Sequence, residues 1–456
     1  MSTPDLSTPR RVHIIGIGGA GMGAIAEVLH AMGHEVAGSD LSDSGAFRRV
    51  RDFGMRAELG HDPSNLRDPE VVVRSTAIPD HNVEVQAVEA DGGTVLRRAE
   101  LLAAISELRT TVAVAGTHGK TTTTSMLAVI ALHAGLDPSF IIGGDVTELS
   151  TGAAWGTGDH FIVEADESDG TFLELGHSIG IVTNVEPDHL EHYGGEAGLR
   201  QAFVDFVAAA ETAIICADDE GAARLVTEGV ASYGFDAAAT HRMTELERTA
   251  AGSSFRLTTP DGSSGRLFVP MPGLHNARNA AAAATAALTM GVGFDDIAAA
   301  LETFRGVGRR FQHRGEANGI VLIDDYAHLP TEVDAAIDAA TDLDRTRIVA
   351  VFQPHRYSRM EALWQDFVDS FDRADLLVIT GIYSSGERPR PGITSQLIVD
   401  AVNGGSAPPP IVHLPDRETL ATEVAALLQP GDVCLTLGAG DLVNLPDELL
   451  PLLEDR

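Results

Sequence analysis

Twice in this chain an apolar run of strand type ends in glycines and continues at once as a helix-period segment. The first is "RVHIIGIGGAGMGAIAEVLHAMGHEVAGSD", residues 11–40, and the second is "TTVAVAGTHGKTTTTSML", residues 110–127. A strand passed through a tight turn into a helix, with another strand beyond it, is the unit of a parallel sheet, because parallel strands need a crossover. Glycines at the turn let the backbone approach a ligand closely, and the helix N-terminus behind them favours an anion. Further strand candidates alternate with helical stretches to the end: "VVVRSTAIP", "FIVEADESD", "IGIVTNVEPDH", "TAIICADD", "IVLIDDYAH", "RIVAVFQPHR", "DLLVITGIYSSGE", "IVHLP" and "DVCLTLGAGD". The spacing predicts three α/β blocks, 1–109, 110–307 and 308–456, each with a largely parallel sheet. A hinge is expected at "RGVGRRFQ" around Gly306 and Gly308. The alanine-rich "NARNAAAAATAALTMG" reads as a buried helix of small residues.

The second turn holds Lys120, the one lysine among 32 basic residues. A chain that otherwise uses arginine must need an ammonium there. Gly116 and Gly119 let backbone N–H groups curl around phosphate oxygens, with Lys120 reaching the β/γ-phosphates and the Thr121 hydroxyl available to magnesium. Val114 replaces the first glycine of the general phosphate-loop pattern. An ammonium is compact, whereas a guanidinium is a wide planar fork, so a closed loop around phosphate selects lysine.

Composition removes several function classes. A formal net charge of −34 repels nucleic acid and anionic membrane. No apolar run reaches the roughly 20 residues that cross a bilayer. The polar start "MSTPDLSTPR" carries no signal-peptide core, so a cytoplasmic chain is expected. Cys216 and Cys434 each stand inside an apolar strand and read as isolated core thiols.

Several motifs place chemistry at strand ends. "GIGGAGM" admits a nicotinamide dinucleotide, another nucleotide or a plain tight turn, and Asp40 lies where a ribose hydroxyl is often bound. "EADESD" aligns Glu164 and Asp166 on one strand face, towards a metal or into solvent. Asp188 and His189 of "NVEPDHLEHYG" follow another strand end, while His192 reads as a surface or packing residue. In "GLHNARNA", Asn276 and Asn279 share a helix face suited to an adenine edge, and Asn276 serves equally as a cap. Arg309 and Arg310 read as phosphate clamps or hinge charges. Asp325, Tyr326, His328, His355, Arg356 and Arg359 gather at strand ends, with arginines suited to a carboxylate.

In order, "GIGGAGM", "GTHGKTTTT", "EADESD", "NVEPDHL", "GLHNARNA", "GRRFQ", "DDYAHLPTE", "QPHRYSR" and "LGAGD" resemble the Mur ligase family, alanine-adding branch, over essentially the whole chain. The resemblance implies a Rossmann-like N-terminal domain for a UDP-sugar, a P-loop-type central ATPase and a Rossmann-like C-terminal domain for an amino acid. It implies a monomer or homodimer, in the cytoplasm, that joins L-alanine to the lactyl carboxylate of UDP-N-acetylmuramate in peptidoglycan synthesis. ATP is the implied cosubstrate and Mg2+ or Mn2+ the implied metal. Gly16, Gly18, Gly19, Gly21, Met22, Asp40 and Ser75 would bind the UDP-sugar. Gly116, Thr117, His118, Gly119, Lys120, Thr121, Thr122, Asn276, Asn279 and Arg310 would bind ATP. Thr121, Glu164 and His189 would hold the metal, and Lys120, Glu164, His189 and Arg310 would carry catalysis. Asp325, Tyr326, His328, His355, Arg356 and Arg359 would line the amino-acid pocket.

The ligases that add later residues commonly use a carbamylated lysine, and this chain has no second lysine to modify. That leaves the alanine-adding branch or its relative that recycles murein tripeptide. The family usually carries another histidine after His328, where Leu329 stands. Two readings from other classes are a nicotinamide oxidoreductase, resting on "GIGGAGM" and Asp40, and an inactive UDP-sugar sensor, resting on Leu329.

Overall fold

The computed structural model describes residues 4–144, 146, 149 and 151–454. Among them lie three sheets, of five, ten and six strands. The first runs in the order Arg56–Leu59, Glu35–Asp40, Arg11–Ile15, Val71–Arg74, Val95–Arg97, parallel throughout. Chain order reverses between Arg11–Ile15 and Val71–Arg74. The crevice beyond the strand ends at such a switch point is where open α/β sheets bind ligands. Gly16 and Ser75 stand at its two sides.

In the second sheet, Thr110–Ala115 lies between Ile179–Val182 and His160–Glu164, parallel to both. That order brings three chain segments to one edge: the 116–119 loop, Glu164 to Asp169, and Thr183 to Glu186. The helix Lys120–His133 starts on four consecutive threonines, poor helix formers whose cost is offset by burial. Its buried hydroxyls are satisfied one turn back, Thr124 Oγ1 on Lys120 O (2.8 Å) and Ser125 Oγ on Thr121 O (2.7 Å). The alanine-rich segment is the helix Leu274–Thr289, and Ala277, Ala280 to Ala284, Ala286 and Ala287 are fully buried along it.

The third sheet runs Gln312–Ala317, Ile320–Asp325, Asp432–Leu437, Arg347–Phe352, Leu376–Thr380, Ile411–Leu414. Its first two strands form an antiparallel hairpin and the other pairs are parallel. The chain divides into two compact units, one comprising Met1–Thr244, Arg256–Leu267 and Arg278–Phe304, the other Glu245–Phe255, Phe268–Ala277 and Arg305–Arg456. Cys216 and Cys434 are both buried free thiols. Among the described residues no helix is long and apolar enough to cross a membrane.

One buried ion underpins the first sheet. Glu84, with no exposed surface, accepts bonds from His13 Nε2 (2.9 Å), Ser39 Oγ (2.7 Å), Asn65 Nδ2 (2.7 Å) and Asp62 N (3.0 Å). Burial alone would raise its pKa, but these donors outweigh burial and hold it at about 2. Ser39 in turn accepts the N–H groups of Gly16 (2.8 Å) and Ile17 (3.1 Å) on its carbonyl, so the network sits directly under the glycine turn. A depressed carboxylate stabilises the fold above its unfolded pKa, and that contribution disappears as pH falls through the folded one. Glu84→Gln should therefore lose on the order of 3 kcal/mol at pH 7, with the gap from wild type narrowing between about pH 4.5 and 2. Urea denaturation across that range measures it; a gap independent of pH would show that the charge contributes nothing.

Candidate active site

The 116–119 loop is clamped from both sides. Lys120 Nζ donates back to Gly116 O (2.7 Å) and Thr117 O (3.2 Å). The His118 carbonyl accepts from Thr183 Oγ1 (2.5 Å) and Asn184 Nδ2 (2.9 Å), while its N–H donates to Asn184 Oδ1 (2.7 Å). Thr117 N bonds Asn184 O (3.2 Å). With three carbonyls and the Thr117 and His118 N–H groups engaged, the loop is fixed in place beneath the unpaired N–H groups of the helix start, a ready anion cradle. Gly119 has a left-handed φ of +79°, and a Cβ there would stand 2.5 Å from Asn279 Oδ1. Thr122 is buried in the first turn.

Carboxylates close the cradle from the neighbouring strand. Glu167, 3% exposed, pairs with Lys120 Nζ at 2.7 Å. Burial alone would depress the ammonium, but Glu167, Asp166 and Glu164 more than reverse that, and Lys120 stays charged. Burial, reinforced by Asp166, pushes the Glu167 carboxyl up to about 7 against the pull of Lys120. Asp166 is held below the usual range despite its burial, by Lys120, Ser168 and Arg98. Tyr193 donates its hydroxyl to the Glu167 carbonyl.

Of the expected metal ligands, Glu164 accepts Gly143 N–H on Oε2 (2.9 Å), and the His189 ring lies against Asp188 (3.3 Å). No hydrogen bond or ion pair joins Glu164 to His189. Among the described residues no group of three His, Cys, Asp or Glu side chains is set to hold an ion. Magnesium is commonly held by one or two carboxylates with waters and substrate phosphates. The Thr121 hydroxyl beside the cradle and the Glu164 carboxylate, both hard oxygen donors, fit that pattern.

The first glycine turn is built in the same way. Gly16 has φ +86° and lies against Ser75, whose Cβ would stand 2.9 Å from a Cβ on the glycine. Gly18 N–H is bonded to Asp40 Oδ2 (2.8 Å), with Asp40 Oδ1 accepting Ser42 N (2.9 Å). Asp40 thus braces the turn. Gly19 caps the helix Ala20–Ala31, and Gly21 in its first turn faces Arg98. Met22 is 2% exposed: its side chain belongs to the core, which leaves only its backbone for a ligand. Asn276 and Asn279 divide their tasks. Asn276 is buried with its amide on Pro272 O (2.8 Å), while Asn279 lies against Gly119 and accepts from Thr123 Oγ1 (3.3 Å).

At the ends of the third sheet, Tyr326 lies between two guanidinium groups, Arg309 at 4.8 Å and Arg310 at 5.1 Å from its ring centre. Its ring meets His328 at 5.3 Å, and His328 meets His355 at 5.7 Å. His355 stacks on Tyr383 at 5.8 Å and accepts Arg359 Nη1 on Nδ1 (3.0 Å), so its proton sits on Nε2. Arg356 is held in a left-handed conformation, φ +65°, by its N–H on Tyr383 O (2.8 Å). Asp325 differs from the expected pocket-lining role: it is 8% exposed and accepts Phe311 N and Ala327 N, each at 2.7 Å. Burial pushes its carboxyl up to about 6. It orients the turn that carries Tyr326 and Arg310. Leu329 is 4% exposed and points into the core.

Glu167, Arg98, Asn184, Tyr383 and Glu332 also belong to these clusters, although the motifs did not single them out as site residues. Glu332 Oε2 accepts the N–H groups of His328 (3.0 Å) and Leu329 (3.2 Å). Polar residues just beyond strand ends were the available signal, but only the sheet order shows which strands are neighbours.

Three family models cover most of the chain: "Mur ligase family, catalytic domain" on residues 11–110, "Mur ligase middle domain" on 114–287, and "Mur ligase, glutamate ligase domain" on 309–440. The chain is 42% identical over 440 residues to the UDP-N-acetylmuramate–L-alanine ligase of Solidesulfovibrio magneticus, covering 95% of this chain and 96% of that protein. It is 42% identical over 462 residues to the enzyme of the same name from Rhizobium meliloti, with 98% of each covered. Among solved structures it is similar to a UDP-N-acetylmuramate–alanine ligase from Thermotoga maritima, with TM-score 0.79 and 27% identity over 98% of this chain and 99% of that one. A murein peptide ligase from Psychrobacter arcticus gives TM-score 0.68 and 25% identity, at 98% and 99% coverage.

The histidine pair in the third-sheet cluster carries its own test. Burial, with His328 and the Arg359 and Arg356 guanidiniums, pushes His355 down to about 3. Its imidazole should therefore show no NMR titration between pH 5 and 8, and a midpoint within that range would contradict the burial and pairing described.

Proposed function

Because the chain belongs to the Mur ligase family, we propose that it joins L-alanine to the lactyl carboxylate of UDP-N-acetylmuramate, consuming ATP and releasing ADP and phosphate, in peptidoglycan synthesis. The observation that carries the chemistry is the Lys120 cradle: a largely buried ammonium, the N–H groups of a helix start and hard oxygen donors at one sheet edge. The relatives at 42% identity are alanine-adding enzymes, which favours free alanine over murein tripeptide. A nicotinamide at the first turn would leave this cradle without a task.

Amide formation requires turning a carboxylate oxygen into a leaving group. A lactyl oxygen attacks the γ-phosphorus of ATP, giving an acyl phosphate and ADP. The N–H groups at the start of the helix Lys120–His133 and the Lys120 ammonium hold the phosphates in line and offset charge on the transferring group. Mg2+ or Mn2+, held by Thr121 and Glu164 with His189 as the further expected donor, would supply neutralisation of the β- and γ-phosphate oxygens. Asn279 would place the nucleotide against the loop. Arg356 and Arg359 suit the alanine carboxylate, with Tyr326 and His328 beside them. The neutral amine then attacks the acyl carbon, and phosphate leaves with the oxygen that attacked it. A reaction using ATP and a UDP-sugar fits a cytoplasmic site.

Lys120→Ala should reduce kcat roughly a hundred- to a thousandfold, the usual range for a preorganised electrostatic group. Lys120→Arg should fail as well. Nζ serves Gly116 O, Thr117 O and Glu167 from a single nitrogen, a three-way arrangement that a planar fork cannot copy. An arginine variant with full activity would refute that geometric account.

The reaction itself is tested by isotope. Oxygen-18 placed in the lactyl carboxylate must appear in released inorganic phosphate. Label in AMP, or none in phosphate, would defeat the acyl-phosphate route, and a clear preference for the tripeptide L-Ala-γ-D-Glu-diaminopimelate would move the assignment to the recycling ligase.

A further inference from the structure

A cavity of about 370 Å³ lies between the helix Ala20–Ala31 and the carboxylates beside the ATP cradle, lined by Gly21, Arg49, Arg98, Gly143, Glu164 and Asp166 among others. Its two arginines differ. Arg49 Nε is bonded to Glu27 Oε1 at 2.8 Å. Arg98, at the first position of the helix Arg98–Ser106, has no hydrogen bond from its guanidinium among the described residues. It stands 3.9 Å from Asp166 and 3.8 Å from Asp169, too far for a hydrogen bond, and its Nε is buried without a partner. Nη1 lies over Gly21, where an added Cβ would approach to 2.9 Å. A partly buried guanidinium (side chain 22% exposed) that has only long ion pairs and makes no hydrogen bond needs an explanation, and the ligand that matches its geometry is a carboxylate held by two parallel bonds.

The surrounding charge sharpens the point. Glu164, Asp166, Glu167 and Asp169 line the approach to the cradle, and a carboxylate arriving there meets four others. Lys120 is engaged with Glu167 and two loop carbonyls. Among the described residues, Arg98 is the other cation within ion-pair distance of this acidic run, and it pulls on Asp166, the immediate neighbour of Glu167.

We propose that Arg98 binds the lactyl carboxylate of the UDP-sugar and presents it beside the phosphate loop. The proposal rests on the reading of function above. Arg98 exchanges its long contacts to Asp166 and Asp169 for two short bonds to the substrate, so it selects sugar nucleotides that carry the carboxylate. The diphosphate, in contrast, is left to the backbone N–H groups that open the helix Ala20–Ala31 behind the glycine turn.

Calorimetric binding of UDP-N-acetylmuramate and UDP-N-acetylglucosamine to wild type, Arg98→Gln and Arg98→Lys tests this, because the second nucleotide keeps the diphosphate and hexosamine but lacks the lactyl group. Arg98→Gln should weaken UDP-N-acetylmuramate roughly ten- to a hundredfold, the range for hydrogen bonds to charged groups, and leave UDP-N-acetylglucosamine unchanged. Arg98→Lys, which keeps the charge and loses the fork, should recover part of the difference. In turnover, KM for the UDP-sugar should rise while KM for ATP stays constant. Equal losses for both nucleotides would overturn the proposal by assigning Arg98 to the diphosphate or the fold, and no loss would overturn it outright. A wild-type protein that does not distinguish the two nucleotides would instead remove the functional reading, and the proposal with it.

Discussion

The ammonium of Lys120, paired with Glu167 at 2.7 Å and bonded to two carbonyls of its own loop, holds the central domain's chemistry together. Taking a lone charge out of water costs several kcal/mol, and the cost is offset only where counter-charge and hydrogen bonds surround it. Here they come from two different segments. The loop after Thr110–Ala115 supplies the carbonyls and the run after His160–Glu164 supplies the acids. Folding these strands side by side is thus the condition for burying the lysine, and burying the lysine fixes the loop. The group that closes the structure is also the group that must meet phosphate.

The first sheet solves a similar problem with the opposite sign. Its buried charge is the Glu84 carboxylate, surrounded by donors from His13, Ser39, Asn65 and Asp62. Ser39 links that centre to the glycine turn through its carbonyl, and Asp40, the next residue, braces Gly18. In both domains a flexible glycine segment is held in one conformation by ionised groups beneath it. That arrangement keeps the cradle N–H groups in place before any ligand arrives, which lowers the ordering cost of binding.

Much of this was legible in the residues. Strand–glycine–helix units announced parallel sheets, and polar residues after apolar runs marked the ligand edge. The lone lysine pointed at the phosphate loop. What could not be read was adjacency: nothing in "EADESD" says that Glu167, and not Glu164, reaches Lys120, because that depends on which strands are neighbours and how the chain turns after the strand. Asp325 looked like a pocket residue because it closes an apolar strand, yet both its oxygens serve backbone N–H groups. Met22 lay inside a ligand motif but at a helix position facing the core. Arg98 was unremarkable in "TVLRRAELL", since its meaning comes from a carboxylate run nearly seventy positions later.

One ε-amine per chain, buried behind Glu167, also changes how the molecule meets reactive chemistry. Acylating agents, aldehydes and amine-directed cross-linkers find a single, largely buried lysine, and thirty-odd charges that elsewhere invite acetylation are guanidinium groups that do not react in this way. Whatever covalent regulation acts on lysine has a single address here, inside the nucleotide cradle, where an acyl group would have to displace an ion pair to enter. For the same reason the amine is a stoichiometric reporter: its protection measures closure of the loop, chain by chain, with no other lysine to subtract.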